Sequence, residues 1–316
     1  MRVWVTGAAG FVGGHAIAEL RSAGHEVVAM VAPGQDTAIP GSLATEAMDL
    51  AESERLADFV VRQAPDACLH LAGIAFVPWA WEHPQETIRV NVIGTLNLLE
   101  AFRVHRPSAR FLTVTSAQIY GHIPRAAPIR EEDPPVADSV YSVSKWSADC
   151  CTQLYAGRYG LHAMTARPCN HIGPGQSESF VVSAFTRQLI EMERGLRPPR
   201  IRVGNLESLR EFTDVRDIVR AYRLLLEKGR AGRAYNVASG HLIRIRELFD
   251  RLCALVGTNP DVEVDPALYR PTDAQPDIDT SRLREDTGWQ TEIPLEETLR
   301  DIVADFRARM PQATAQ

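Results

Sequence analysis

Cysteine is scarce and badly spaced for structure in this 316-residue chain. Its five cysteines (Cys68, Cys150, Cys151, Cys169, Cys253) are odd in number and form no Cys-x-x-Cys pair. That argues for reduced cytosolic thiols over a disulfide framework or a thiolate zinc site. The nine histidines make no His-Glu-x-x-His or comparable cluster, so no bound metal is expected. An excess of positive charge is missing too: 34 Lys+Arg face 40 Asp+Glu, for a net charge of −6 and a pI near 5.9. This removes any broad electrostatic case for nucleic-acid or acidic-membrane partners. No apolar run approaches the roughly 18 to 20 residues that span a bilayer. The N-terminus reads as a strand with no signal peptide, so a cytoplasmic protein is expected. What is present, 45% hydrophobic and 23% charged residues, suits a globular chain with a sizeable core.

The first half alternates strand and helix patterns. Arg2 to Thr6 is a β-branched and aromatic run, followed at once by Gly7-Ala8-Ala9-Gly10-Phe11-Val12-Gly13 and a helical spacing that ends at Gly24. Strand, Gly-x-x-Gly-x-x-Gly, helix is the setting of a dinucleotide site. Its glycines allow a tight turn and let the backbone approach a pyrophosphate at the helix N-terminus. The second strand, Glu26 to Val31, runs into Ala32-Pro33-Gly34-Gln35 with Asp36 as the only nearby acid. No acid stands where the ribose 2′-hydroxyl of NAD is gripped, which favours NADP slightly over NAD. Further strands are expected near Ala47, at Ala67–Leu71 and at Arg110–Thr115, with helices at Ser53–Gln63 and about Glu86–Val104. His70 reads as a structural residue of its strand. The pattern predicts an α/β chain with a Rossmann-type, doubly wound parallel sheet.

Beyond the last of these strands lie Ser116 and a proline-rich loop, His122 to Asp138. Ser139 is a plausible N-cap, which places Tyr141 and Lys145 in the first turns of the next helix, one turn apart on one face. A phenol exchanges protons poorly at neutral pH, and a neighbouring ammonium is expected to lower its pKa. A hydroxyl, a phenol and an ammonium beside a hydride carrier are what carbonyl/alcohol interconversion requires.

The second half reads as a smaller C-terminal α/β substrate-binding region. A strand to Arg167 ends in the glycine- and proline-rich segment Pro168 to Gln176, followed by a helix of about Phe180–Arg194. A strand at Ala234–Val237 and helices at about Arg244–Val256 and Leu295–Arg307 come later. We expect a dinucleotide-binding domain over 1–168, a mainly nucleotide-sugar-binding region over 169–310 with about 212–240 returning to the first, and a frayed tail over 311–316. Arg202, Arg210 and Arg270 carry planar guanidinium forks that match phosphate oxygens. Solvating a surface is the alternative for each, on even terms for Arg202, whereas phosphate binding is favoured for Arg210 and Arg270.

The glycine turn, Asp49-Leu50, His70-Leu71-Ala72-Gly73, Ser116 with Tyr120-Gly121, and Tyr141-x-x-x-Lys145 resemble the extended short-chain dehydrogenase/reductases, the nucleotide-sugar epimerase/dehydratase group. Arg167 to Gln176, Val203-Gly204-Asn205-Leu206, Arg210 to Asp217 and Arg270-Pro271-Thr272-Asp273 are similar to its GDP-mannose branch, most of all to the GDP-4-keto-6-deoxy-mannose reductases. The resemblance implies Ser116, Tyr141 and Lys145 as the catalytic set. It implies Gly7, Gly10, Phe11, Val12, Gly13, Asp49, Leu50, Leu71, Ala72, Gly73, Asn91 and Pro168 as cofactor contacts for NADP or NAD. By the same likeness Gln118, Asn170, Val181, Arg202, Arg210, Arg270 and Asp273 would contact a GDP-linked sugar, and the chain would be a homodimer. One departure separates the branch members. Dehydratases of the branch place a glutamate two residues before the Tyr-Gly after the active-site strand, and here that position is Gln118. A neutral amide cannot remove the proton alpha to a carbonyl, which favours reduction over elimination. A 4-epimerase with tightly bound NAD and a GDP-mannose 4,6-dehydratase-like enzyme are the alternatives left open.

Overall fold

Buried β-branched runs alternating with helices build one seven-stranded sheet in the computed structural model, which describes residues 1–121, 127–266, 268 and 277–310. The first part of the chain contributes β1 (Arg2–Thr6), α1 (Phe11–Ser22), β2 (Glu26–Val31), β3 (Ala44–Ala47), α2 (Ser53–Gln63) and β4 (Ala67–His70). Then come α3 (Val77–Glu82), α4 (Pro84–Ile88), α5 (Gly94–His105), β5 (Arg110–Val114), α6 (Val140–Tyr159) and β6 (His162–Pro168). The second part adds β7 (His171–Ile172), α7 (Val181–Glu193), β8 (Arg200–Val203), β9 (Leu209–Glu211), β10 (Thr213–Asp214) and α8 (Val215–Lys228). It closes with β11 (Ala234–Val237), β12 (Leu242–Arg244), α9 (Ile245–Val256), β13 (Asp261–Val264), α10 (Ser281–Thr287) and α11 (Leu295–Arg309).

The sheet order is β11-β6-β5-β4-β1-β2-β3, and every neighbouring pair is parallel. Strand order reverses beside β1, which has β2 on one side and β4 on the other. In such sheets ligands bind beyond the carboxyl ends of the strands at that reversal. Helices α1 and α8 pack together over one face. On the other face α2, α5 and α6 cover Trp4, which lies 4.6 Å from the Phe59 ring and is fully buried. The expected doubly wound parallel sheet is therefore observed. A separate apolar cluster joins α7, α9 and α11 around Leu189, Leu248 and Ile302.

Two local features differ from the sequence expectation. The helix expected over about 86–104 starts at Pro84 and is interrupted by a π turn at Arg89–Ile93, which carries Asn91. Proline at the first helical position costs no hydrogen bond, which explains the earlier start. The second half also holds three two-stranded ribbons, β10 with β7, β12 with β9 and β13 with β8, of two to four residues per strand. Strands this short carry too few residues for their alternation to register in a sequence.

Candidate active site

The cleft begins at the glycine turn. Gly7 leaves β1 with φ of +71°, and a Cβ there would lie 2.8 Å from Ala72 N. At Gly13 a Cβ would lie 2.5 Å from the carbonyl oxygens of both Gly7 and Ala8. Gly10 is the N-cap of α1 and offers its first N–H groups no side-chain partner. An uncapped helix N-terminus above a turn that admits no side chain suits the pyrophosphate of a dinucleotide. Phe11 and Val12 start the helix and line the cleft with Leu71 and Gly73. Gly13→Ala is expected to raise the NADPH Kd at least about tenfold, since backbone cannot yield to a contact that short. Fluorescence titration of the folded variant checks this, and an unchanged Kd would place the cofactor elsewhere.

The reacting side chains stand on the neighbouring strand end and helix. Ser116 follows β5 and caps the short turn Ala117–Tyr120, its Oγ accepting from Gln118 N at 3.1 Å. That leaves the hydroxyl proton to donate. The Ser139–Ser142 capping box starts α6 and sets Tyr141 in its first turn, with Lys145 one turn on. Both are buried, at 7% exposure each. Lys145 Nζ donates to Val114 O at 3.1 Å, and a Cβ on Gly73 would come within 3.2 Å of it.

Burial decides the protonation states here. It raises the Tyr141 phenol above its ordinary value, and a hydrogen bond with Ser116 opposes the rise. The expectation that Lys145 lowers this pKa is thus corrected: burial sets the direction, the opposing pull comes from Ser116 and not from Lys145, and the phenol holds its proton. Burial lowers Lys145 to about 8. His70 is the structural residue expected. Its ring bridges Thr6 Oγ1 at 2.7 Å and Thr95 Oγ1 at 3.0 Å, and burial, helped by Lys145, pushes its pKa to about 3.

A cavity of about 340 Å³ brings together Gly7, Gly10, Phe11, Val12, Gly13, Leu71, Gly73, Ser116, Gln118, Tyr141, Lys145, Pro168, Asn170 and Arg210. Other expected contacts do not line it. Ala72 backs Gly7, its N–H donating to Thr6 Oγ1 at 3.1 Å. Asn91 is buried behind Gly73, where it accepts from Ile74 N at 2.7 Å and donates to Ile74 O and Ser144 Oγ. Its amide shapes the cleft wall from the rear. Asp49 is held by Arg89 at 3.0 Å, and Leu50 packs beside Gly94. Val181 opens α7 with its side chain exposed, next to the cleft-lining Phe180. Arg202 is exposed on β8, 4.0 Å from Glu263. Arg270 and Asp273 lie outside the described residues.

The sequence reading missed Tyr222, which lines the cavity from α8, is fully buried and has no hydrogen-bond partner for its hydroxyl among the described residues. It sits in the apolar stripe of an amphipathic helix, where a tyrosine reads as core. Phe180 was expected as the start of a helix. Its ring meets Phe76, from the loop after β4, at 6.2 Å.

Known proteins resemble this chain in sequence and in fold. A family model described as GDP-mannose 4,6 dehydratase matches residues 4–302. The chain is 37% identical to the GDP-6-deoxy-D-mannose reductase of Pseudomonas aeruginosa, covering 98% of both chains. The structure of RMD from Pseudomonas aeruginosa complexed with NADPH superposes with a TM-score of 0.87 at 36% identity, over 98% of this chain and 99% of that one. The Thermus thermophilus UDP-glucose 4-epimerase in complex with NAD gives 0.87 at 28% identity, over 98% of this chain and 100% of that one.

Proposed function

The chain belongs to the GDP-mannose 4,6 dehydratase family, within the extended short-chain dehydrogenase/reductases, and we propose that it is an NAD(P)H-dependent reductase of a GDP-4-keto-6-deoxy-hexose. The product is GDP-D-rhamnose or its 4-epimer. One observation carries this reading: Ser116, Tyr141 and Lys145 share a cleft with the glycine cradle, and the position beside them that a dehydratase fills with glutamate is Gln118. The cofactor, when bound, supplies the hydride. Tyr141 gives its proton to the carbonyl oxygen as charge develops there, and the Ser116 hydroxyl donates a second hydrogen bond to the same oxygen. Lys145 supplies the positive charge that stabilises the phenolate left behind. A phenol held protonated by burial is in the correct state to act as an acid. The N-terminal end of α6 also favours the negative charge it acquires.

Asn170 and Arg210 are proposed to face the GDP moiety, with Arg270 and Asp273 completing that subsite. Residues 1–168 then serve mainly the dinucleotide and 169–310 mainly the nucleotide sugar. The purified protein should oxidise NADPH or NADH in the presence of GDP-4-keto-6-deoxy-mannose. Failure with both cofactors would refute the reading. A 4-epimerase would use the same side chains, and it would instead emerge with bound NAD and interconvert nucleotide sugars without consuming reduced cofactor.

The pH dependence follows from Lys145. Its ammonium is present below about 8 and lost above it, so kcat should fall as pH rises through that value. A rate that climbs through pH 8 would contradict the role given to the charge. We also propose a cytoplasmic homodimer that pairs α5 and α6 with their counterparts. Its support is the exposed apolar set Ile93, Val104, Val143 and Leu154 on or beside these helices. Sedimentation at micromolar concentration tests it, and a monomer would refute it.

A further inference from the structure

We infer that the buried Arg167–Asp149 pair is a positioning device that holds the Ser116 turn in register with the helix bearing Tyr141 and Lys145, an inference that rests on the roles proposed for those three groups. Asp149 follows Tyr141 and Lys145 at four-residue steps, so it lies on the same buried face of α6. The pair is cut off from solvent, with 3% of the Arg167 side chain and none of Asp149 exposed. The guanidinium grips the carboxylate as a fork, Nε to Oδ2 at 2.8 Å and Nη2 to Oδ1 at 2.9 Å. Its third nitrogen, Nη1, donates to Tyr120 Oη at 2.7 Å and to Glu131 O at 2.9 Å. Asp149 Oδ2 also accepts from Thr115 Oγ1 at 3.3 Å.

These contacts bracket the reacting serine. Thr115 immediately precedes Ser116, and Tyr120 closes the turn that Ser116 caps. One ion pair therefore takes hold of both ends of the Thr115–Tyr120 segment and ties them to α6. Arg167 is itself followed by Pro168, which lines the cleft, so the same fork meets a third wall of the site. Tyr120 Oη in turn donates to Asn236 Oδ1 at 2.9 Å, which anchors the assembly to β11.

The energetics favour a geometric role over a stabilising one. Desolvating two charges offsets most of their attraction, so a buried pair adds little net stability compared with apolar packing. A fork does fix both angle and distance, which a point charge does not. Fixed geometry matters at a reacting centre, where a misplacement of about 1 Å can cost on the order of 10²-fold in rate.

Breaking the pair outright would strand a buried charge and risk the fold, so the test cuts its arms. Tyr120→Phe and Thr115→Val each remove one hydrogen bond to the ion pair and leave the pair itself in place; the first also loses the bond to Asn236 Oδ1 and the second the bond to Ala166 O. Each is expected to lower kcat about tenfold or more, with KM and the NADPH Kd nearly unchanged, as loss of alignment predicts. Arg167→Lys, which keeps the charge and loses the fork, should lose more than either. A second readout is independent of the sugar. In protein carrying ¹³Cζ-labelled tyrosine and bound NADP, the Tyr141 ionisation midpoint, assigned by its absence in Tyr141→Phe, should rise in each variant as the Ser116 hydrogen bond is displaced. Folded variants with wild-type kcat and an unmoved midpoint would overturn the positioning role. If the wild type itself leaves the keto sugar unreduced, the proposed activity fails, and the midpoint alone decides whether the pair positions Ser116.

Discussion

Tyr141→Phe is expected to lower kcat by about 10²–10⁴-fold, the usual contribution of a positioned general acid, while NADPH binding stays near the wild-type level. The phenol is a proton donor in the cleft that burial holds in its neutral form, with Ser116 hydrogen-bonded beside it. Phenylalanine keeps the ring and its packing, so the loss should appear in kcat and not in stability. The factor corresponds to roughly 3–5 kcal/mol of transition-state stabilisation. Steady-state kinetics with a parallel NADPH titration measure it. Retention of more than about a tenth of the activity would remove Tyr141 from the proton-transfer role.

Lys145→Met is expected to do two things at once: abolish most turnover and make the cofactor-free protein more stable. Burial lowers this ammonium from 10.5 to about 8 with no carboxylate beside it among the described residues. A group whose charged form is disfavoured by folding destabilises the native state wherever it is protonated in both states. That cost is fully present below about pH 8 and is relieved as pH rises toward the unfolded value. A shift of this size amounts to roughly 3 kcal/mol, less about 1 for the hydrogen bond to Val114 O that methionine forfeits. The apo variant should therefore melt a few degrees higher at neutral pH. Its activity should fall with Tyr141 intact, because the phenolate formed in turnover loses its counter-charge. A variant that melts lower, or that still turns over at the wild-type rate, would contradict the account of Lys145.

Lysine is in fact rare in this chain. Lys145 and Lys228 are its two lysines, against a total of 34 Lys+Arg. Arginine stays protonated wherever it is placed, whereas a buried lysine can shift its pKa. The one place in the cleft that needs a compact, tunable cation carries lysine.

The sheet was legible because its strands are buried on both faces and read as continuous apolar runs, as Glu26–Val31 and Ala67–His70 do. The glycine turn and the Tyr141–Lys145 spacing were legible for a different reason: each is a local pattern whose residues are neighbours in sequence and in space. Contacts between distant segments left no such trace. Asn91 is implied by the resemblance as a cofactor contact on the expected helix, yet the π turn and the loop after β4 enclose it behind Gly73. Tyr222 and Phe180 reach the cleft from helices whose sequence shows only amphipathic packing. The sign of the Tyr141 shift was also out of reach, since it depends on how much water folding removes, and charge spacing alone gives the opposite answer.

Isotope transfer tests the central claim most directly. With NADPH deuterated at the transferable C4 position and GDP-4-keto-6-deoxy-mannose as substrate, one deuterium should arrive at sugar C4 per cofactor oxidised. In D₂O with unlabelled NADPH, C5 should keep its proton, because Gln118 offers no carboxylate base to remove it. Deuterium absent from C4, or solvent deuterium incorporated at C5 in step with turnover, would contradict a reductase and point to elimination or epimerisation chemistry in the same cleft.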